Sequence, residues 1–203
     1  MALLLGEFLI KIFGSRYIAV AIVSMFPLIE LKGAIPIGMS EAFGMGLFET
    51  AGIAYLGSTA VAIGVFFLLV PIFDLLKKLK FIKRLIEKVE DLFARKAEKI
   101  AAKTQGSAEA EAKKIMMLSL FAFVAVPFPV TGVWTGTAIA VFLGLKFRES
   151  ILPIALGNLV AGAAITLLTF LFRDYVDYII YGLLTVAVVM LVVFIVKVAR
   201  SKG

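Results

Sequence analysis

The sequence predicts an all-α polytopic membrane protein of two inverted repeats, each combining a re-entrant helical hairpin with a long transmembrane helix. Three observations lead to this prediction. The chain of 203 residues is 62% hydrophobic and 17% charged, below the roughly 25% charge of soluble domains. Two proline-rich stretches interrupt the apolar sequence, and the two halves match at an offset of 100 residues. One extra transmembrane helix is predicted at the C-terminus.

Five apolar runs supply the membrane elements, and at least three of them reach the roughly 20 residues needed to cross a hydrocarbon core. Glu7 and Lys11 interrupt the apolar stretch that precedes the first run, so the N-terminal helix is expected to be retained rather than cleaved as a signal peptide. The runs cover residues 18–29, 47–73, 115–145, 151–172 and 178–196.

The first repeat, residues 1–76, is predicted to hold an N-terminal helix, a re-entrant hairpin and a transmembrane helix. The stretch from Tyr17 to Pro27 would rise only about 16 Å as a helix, half the thickness of the core. Two such short limbs joined at a break enter and leave the membrane on one side. This geometry predicts a hairpin rather than a crossing.

The break reads "FPLIELKGAIPIG", residues 26–38. Pro27 and Pro36 are expected to prevent a regular helix between them, which leaves backbone groups near mid-membrane to bind other partners. In an extended turn Glu30 and Lys32 would share one side. Each charge costs about 2.5–3.5 kcal/mol or more at the bilayer centre, so such residues normally pair and line a pathway.

These residues are therefore candidates for function. Glu30 is predicted to couple transport to protons, with Glu41 as a second acceptor or a residue at the cavity mouth. Lys32 and Pro36 are predicted to contact the substrate. The alternative is a structural salt bridge that only closes the hairpin.

Residues 77–113 form a basic, amphipathic segment predicted to lie in the cytoplasm. Twelve of the 21 basic residues fall between positions 77 and 114, beside six acids, as in a membrane-flanking loop. Apolar residues at helical spacing predict a surface helix ending near Gly106, and a solvated linker is the alternative. No recognition motif accompanies the charge, so nucleic-acid binding is not expected.

The second repeat, residues 114–174, contains the uncharged break "VPFPVTGVWTG". Its hydroxyls and amides could bind a polar headgroup, and its tryptophan an organic substrate. Alternatively the threonines satisfy the broken backbone, the tryptophan packs, and a downstream asparagine bridges two helices. The substrate-binding candidates here are Pro127, Pro129, Thr131, Trp134, Thr135 and Asn158.

Residues scarce in this chain support the internal repeat, because they match where helices break or begin. Glu49 and Glu149 are expected to complement the dipole at the start of the long helices. The pairs at this offset are Pro27/Pro127, Gly44/Gly144, Glu49/Glu149, Leu56-Gly57/Leu156-Gly157, Leu68/Leu168 and Asp74/Asp174.

The C-terminal transmembrane helix, residues 175–203, completes three crossings and two hairpins. This count places the basic loop and the later basic residues on one side, whereas five crossings would separate them. The positive-inside rule therefore predicts a prokaryotic inner-membrane protein whose loop and C-terminus are cytoplasmic. Of the six basic residues after the loop, the five that this count places on its side are Lys146, Arg148, Lys197, Arg200 and Lys202.

The sequence favours transport over catalysis. It contains no Cys and no His, and no evident nucleophile or metal cluster, so neither an enzyme nor a cofactor is expected. The predicted partners are protons and a membrane lipid or amphipathic small molecule, with a homodimer possible for so small a core. The rival hypothesis is a non-transporting scaffold.

The stretches "PLIELKGAIPIG" and "PFPVTGVWTG", with the Leu-Gly-Asn step at 156–158, resemble the small multidrug export family of prokaryotic membrane proteins. That family resembles in turn the DedA superfamily, which implies paired re-entrant hairpins, a role in flipping polyprenyl-phosphate or phospholipid, and a link to proton gradients. By position, Glu30, Lys32 and Glu41 match the first-hairpin charges of that pattern. Where many DedA relatives have arginines in the second hairpin, this chain has Thr131 and Thr135.

Overall fold

The computed structural model describes residues 2–76, 86–87, 107–128 and 131–176, with part of the stretch from 178 to 196. Every regular element in these ranges is helical, which confirms the predicted all-α class. The helices are α1 (Ala2–Phe13), α2 (Arg16–Met25), α3 (Glu30–Met39), α4 (Leu47–Leu76), α5 (Ala108–Ala125), α6 (Val133–Phe142) and α7 (Phe147–Leu171), followed by a 3₁₀ turn (Arg173–Tyr175).

Two of the described helices are long and apolar enough to cross a membrane, namely α4 with 30 residues and α7 with 25. A third span results if α1 and α2, which meet at a bend of 100°, are counted as one broken element. By contrast α2, α3 and α6 have ten residues each, which rise only about 15 Å. The chain is therefore a membrane protein with long spans and half-length helices.

The chain forms two compact units, and both long helices are divided between them. The first unit comprises residues 1–58, 127–130 and 161–203. At its centre lies α3, which is buried from Glu30 through Gly38 and packs on α2. The fully buried Val20, Leu31 and Ile35 belong to its apolar core.

The second unit comprises residues 59–126 and 131–160. Its core is built around Leu120 and Val124 of α5, Val133 of α6 and Ile154 of α7. Here α5 takes the place that α2 has in the first unit, and α6 packs against α5. Each unit is thus organised around a short helix that follows a proline-containing break.

The predicted internal repeat is reproduced in the contacts inside each unit. A Cβ built on Gly57 would lie 2.6 Å from the carbonyl oxygen of Ala21, and a Cβ on Gly157 would lie 2.7 Å from that of Phe121. The two glycines and their two partners are each separated by 100 positions. In both repeats the long helix can approach the helix that precedes the break only because no side chain intervenes.

The turns before the long helices also correspond. Gly44 and Gly144 both have a positive φ, 55° and 69°, a conformation that glycine adopts without steric cost. Glu49, the third residue of α4, accepts the amide of Gly46 at 3.1 Å, and Glu149, the third residue of α7, accepts that of Lys146 at 2.9 Å. This is the glutamate half of a capping box, and it confirms the predicted helix-start role of both acids.

Several predictions fall partly or wholly outside the described residues. Of the basic segment 77–113, the structure describes only residues 86–87 and 107–113. Helix α5 begins at Ala108, inside the predicted segment, and Ser107 caps it by accepting the amide of Ala110 at 3.3 Å. The predicted C-terminal helix is described only in part, and the re-entrant and inverted arrangement stays a prediction.

Candidate functional site

The first break follows the C-terminus of α2, at residues 26–29. Helix α2 ends at Met25, and Phe26 is its extended C-cap, because Pro27 disfavours helical backbone in the residue before it. Leu28 and Glu30 then adopt positive φ values of 73° and 49°. A residue with a side chain pays about 1–2 kcal/mol in this region, and such strain concentrates at functional sites.

Helix α3 begins immediately at Glu30, which corrects one expectation. Pro36 was expected to prevent a helix, yet it lies inside α3. A proline at this position withholds only the amide that would bond to the carbonyl of Lys32, and the burial of nine consecutive residues of α3 supports the remaining turns. The break is therefore shorter than the sequence predicts and ends where the charges begin.

Glu30 and Lys32 form a buried ion pair at the start of α3. Lys32 Nζ lies 3.3 Å from Glu30 Oε2, and the two side chains are only 4% and 5% exposed. Residues two apart point to different sides of a regular helix, but the left-handed backbone of Glu30 changes the direction of its side chain. The pairing was predicted, although from an extended turn rather than from a strained first residue of a helix.

Lys32 also binds the second break of the chain. Its Nζ donates to the carbonyl oxygen of Phe128 at 2.7 Å, a contact between residues 96 positions apart. Phe128 follows Pro127, in a stretch where the backbone cannot form a helix and carbonyls remain available. Sequence reasoning missed Phe128 because a backbone acceptor has no residue-type signature, and only the two prolines around it indicated free carbonyls.

The second break differs from the first in its backbone. Helix α5 ends at Ala125 with an extended C-cap at Val126, and α6 begins only at Val133 after an extended Gly132. Thr131 Oγ1 donates to the carbonyl of Val126 at 2.5 Å, so this threonine satisfies the broken backbone, as one of the two hypotheses expected. Pro127 is exposed, and Pro129 lies outside the described residues.

The remaining candidates of the second repeat lie within the second unit. Trp134 is half-buried and packs against the core cluster of that unit, and Thr135 is half-buried on the same helix. Asn158 is 2% exposed, and its amide donates to Thr59 Oγ1 at 3.2 Å. The asparagine therefore links α7 to α4, the bridging role considered for it.

Glu41 is not brought to Glu30. It is exposed and follows the C-terminus of α3, whose ten residues separate the two acids by about 15 Å of helix. Glu41 instead lines an open cavity together with Arg173 and Asp174. This placement supports the mouth position, and a direct proton transfer between Glu30 and Glu41 would need intervening water.

The described residues contain no group of three or more His, Cys, Asp or Glu side chains that could hold a metal ion. The arrangement at the start of α3 includes one carboxylate, one ammonium and one backbone carbonyl. Such a set can exchange a proton, pair an anion with the ammonium, or hold two segments together.

A family model described as "Putative small multi-drug export protein" matches residues 30–164, which is more than half of the 203-residue chain. The match begins at Glu30 and includes Lys32, the second break, all of α4 and α7 as far as residue 164. No curated protein and no solved structure is similar enough to match the chain. The chain belongs to the small multi-drug export protein family.

Proposed function

We propose that this member of the small multi-drug export protein family is a proton-coupled membrane transporter that moves an amphipathic substrate. The coupling site in this proposal is the ion pair of Glu30 and Lys32. The observation that supports it most is the burial of both charges, 4% and 3% exposed, at a strained break of a membrane protein. Intramembrane charges are costly and mark substrate and ion pathways.

Protonation of Glu30 is the step that would open the site. A neutral carboxylic acid no longer balances Lys32, and an uncompensated buried ammonium is unfavourable by several kcal/mol. Lys32 would then favour a conformation in which Nζ reaches water or an anionic headgroup. In that conformation the hydrogen bond from Nζ to the carbonyl of Phe128 would be replaced by one to the water or the headgroup. Because this bond joins positions 32 and 128, the charge of Glu30 controls a contact between the two breaks.

The substrate would be a lipid-linked phosphate, a phospholipid or a hydrophobic drug, moved without chemical change. Lys32 and Pro36, one turn apart on α3, are the proposed substrate contacts in the first unit. The proposed substrate contacts in the second repeat are Thr131, Trp134, Thr135 and Asn158. In the structure Thr131 and Asn158 form hydrogen bonds and Trp134 packs on the core, so their contact with substrate stays a prediction. A relation to the DedA superfamily likewise stays a prediction.

The second candidate function is a non-transporting scaffold. The ion pair is closed, buried and bonded to a backbone carbonyl, as expected of a bridge that only holds the fold. In that case the charges would matter for stability and not for the movement of any substrate. The two candidates differ in what neutralising Glu30 does.

The test uses the full chain in liposomes with a fluorescent polyprenyl-phosphate or a lipophilic cation, with and without a pH gradient. Glu30→Gln is nearly isosteric and is expected to keep the fold while abolishing the dependence of transport on the gradient. Glu109→Gln is the matched control, because Glu109 is an exposed acid in the first turn of α5. Wild-type rate and pH response in Glu30→Gln would contradict the transporter and support the scaffold.

The proposed location is the prokaryotic inner membrane with the basic loop and the C-terminus in the cytoplasm. Single cysteines at Ala102 and Gly203 are suitable probes because the chain has no native Cys. Both are expected to react with an impermeant thiol reagent only from the cytoplasmic side. Labelling at position 203 from outside would require a different number of crossings and exclude the hairpin topology.

A further inference from the structure

An apolar cavity of about 300 Å³ lies in the first unit beside α3. One wall is Pro36, one turn beyond Lys32 on the same helix. The other walls come from the C-terminal half of α7 and the residues that follow it. The lining residues are Pro36, Ile165, Leu168, Thr169, Phe172 and Tyr175.

A second cavity, of about 680 Å³, lies in the same unit and has a mixed lining. Glu41 and Asp174 contribute two carboxylates and Arg173 one guanidinium, so the charged residues of its wall sum to one negative charge. Tyr178 and Tyr181 add two aromatic rings. Carboxylates and aromatic rings are the groups that proteins use for organic ammonium ions.

The two cavities are neighbours along the same pair of segments. On α3 the apolar cavity is bounded by Pro36 and the charged cavity by Met39, three residues later. After α7 the apolar cavity is bounded by Tyr175 and the charged cavity by Tyr178, and these two rings are 6.3 Å apart. A ligand with an apolar tail and a charged head would therefore fill both.

We propose that these adjacent cavities form a binding site for a cationic amphiphile. The tail would occupy the apolar cavity against Pro36 and Leu168, and the ammonium head would lie between Glu41, Asp174 and the two tyrosines. The position fits an amphiphile, because the apolar helix α7 ends at Leu171 and the charged residues follow at once. Binding here requires no proton gradient and does not depend on Glu30.

The head group is tested first, with radiolabelled decyltrimethylammonium and the protein in nanodiscs of zwitterionic lipid. Empty nanodiscs give the partitioning background, and decyl sulfate is the matched anionic competitor. Saturable binding is expected, displaced by excess unlabelled decyltrimethylammonium and at least tenfold less well by decyl sulfate. Combining Glu41→Gln with Asp174→Asn should weaken binding at least tenfold, whereas Arg173→Gln should strengthen it at least twofold.

The tail is tested with two tryptophan substitutions one residue apart on α7. Leu168→Trp fills the apolar cavity and is expected to weaken binding of decyltrimethylammonium at least fivefold. Leu167→Trp is its control, since Leu167 is similarly exposed, 57% against 44%, but does not line the cavity. This pair keeps the test valid if the double acid variant fails to fold.

The proposal is overturned if binding has no saturable component, if decyl sulfate competes equally, or if Leu167→Trp and Leu168→Trp weaken binding alike. Its failure is separable from failure of the proposed transport function. Glu30→Gln, which should abolish coupling to the pH gradient, is expected to bind decyltrimethylammonium within twofold of wild type.

Discussion

The two breaks of this chain, residues 26–29 together with the first turn of α3 that follows them and residues 126–132, follow equivalent helix ends but are built from opposite chemistry. In the first, a strained backbone places Glu30 and Lys32 in a buried ion pair, and the next helix begins at Glu30. In the second there is no charge, the backbone is extended at Gly132, and the next helix begins three residues later in the repeat, at Val133.

The surrounding scaffold is shared by both repeats. Gly57 and Gly157 contact equivalent backbone carbonyls, and Glu49 and Glu149 cap equivalent helices. Thr50 and Ser150, which come directly after these acids, are both fully buried. The repeats are thus alike where helices pack and differ where the chain is broken.

The contact between Lys32 and Phe128 explains why the two breaks differ. The first break provides a charged donor, and the second provides a backbone acceptor that its prolines keep out of a helix. Two charged breaks would place four costly ionised groups in the membrane. With one charged and one neutral break, the membrane holds a single ion pair, and the carbonyl of Phe128 accepts a hydrogen bond from its ammonium group.

The largest effect is expected from removing the charge of the first break. Lys32→Ala leaves Glu30 buried without its counter-charge and should lower the free energy of unfolding by about 3–5 kcal/mol. Thr131→Val, in the second break, removes one hydrogen bond and should cost about 1 kcal/mol. Circular dichroism of detergent-solubilised protein titrated with denaturing detergent measures both changes.

A double variant controls for the loss of side-chain packing. Glu30→Gln combined with Lys32→Met removes both charges while keeping similar volumes, and it should recover most of the stability that Lys32→Ala loses. Equal destabilisation by Lys32→Ala and Thr131→Val would contradict the unequal roles assigned to the two breaks.

A smaller and matching effect is expected at the shared scaffold. A Cβ at position 57 or 157 would lie within 2.7 Å of a backbone oxygen, so Gly57→Ala and Gly157→Ala should each cost about 1–3 kcal/mol through overpacking. Gly52→Ala is the control, because no atom lies within 4 Å of its Cβ position. This control should be neutral or slightly stabilising, since alanine favours helix.

If Gly57→Ala and Gly157→Ala lower the free energy of unfolding by different amounts, the two repeats share the geometry of this contact but not its contribution to stability. The same detergent titration gives the comparison. If Gly57→Ala is as stable as the wild type, the close approach of α4 to α2 is not required for the fold.

The smallest effect is expected from the strained backbone of the first break. Leu28→Gly and Leu28→Ala lose the same packing, but only glycine adopts a φ of 73° without steric cost. The glycine variant should therefore be more stable than the alanine variant by about 1 kcal/mol. At Phe128, whose φ is not positive, the order should reverse, with glycine less stable by about 0.5–1 kcal/mol. The same order at both positions would refute strain at Leu28.

Local sequence determined the helical class, the long spans and the two breaks. Each depends on residues close together in the chain: apolar runs of sufficient length, prolines without an amide hydrogen, and glycines at turns. For the same reason the caps at Glu49 and Glu149 could be predicted, because a glutamate at the third helical position reaches its own helix start. The pairing of Glu30 with Lys32 also followed, since an intramembrane charge needs a neighbour of opposite sign.

The tertiary structure decided what lies far apart in sequence. It placed Pro36 inside a helix, because burial on all sides supports a short helix that propensity alone would not predict. It set Glu41 at a cavity with Arg173 and Asp174 rather than beside Glu30. It joined Lys32 to the carbonyl of Phe128, since backbone acceptors are identical at every residue and only the folded chain selects which one meets a charge.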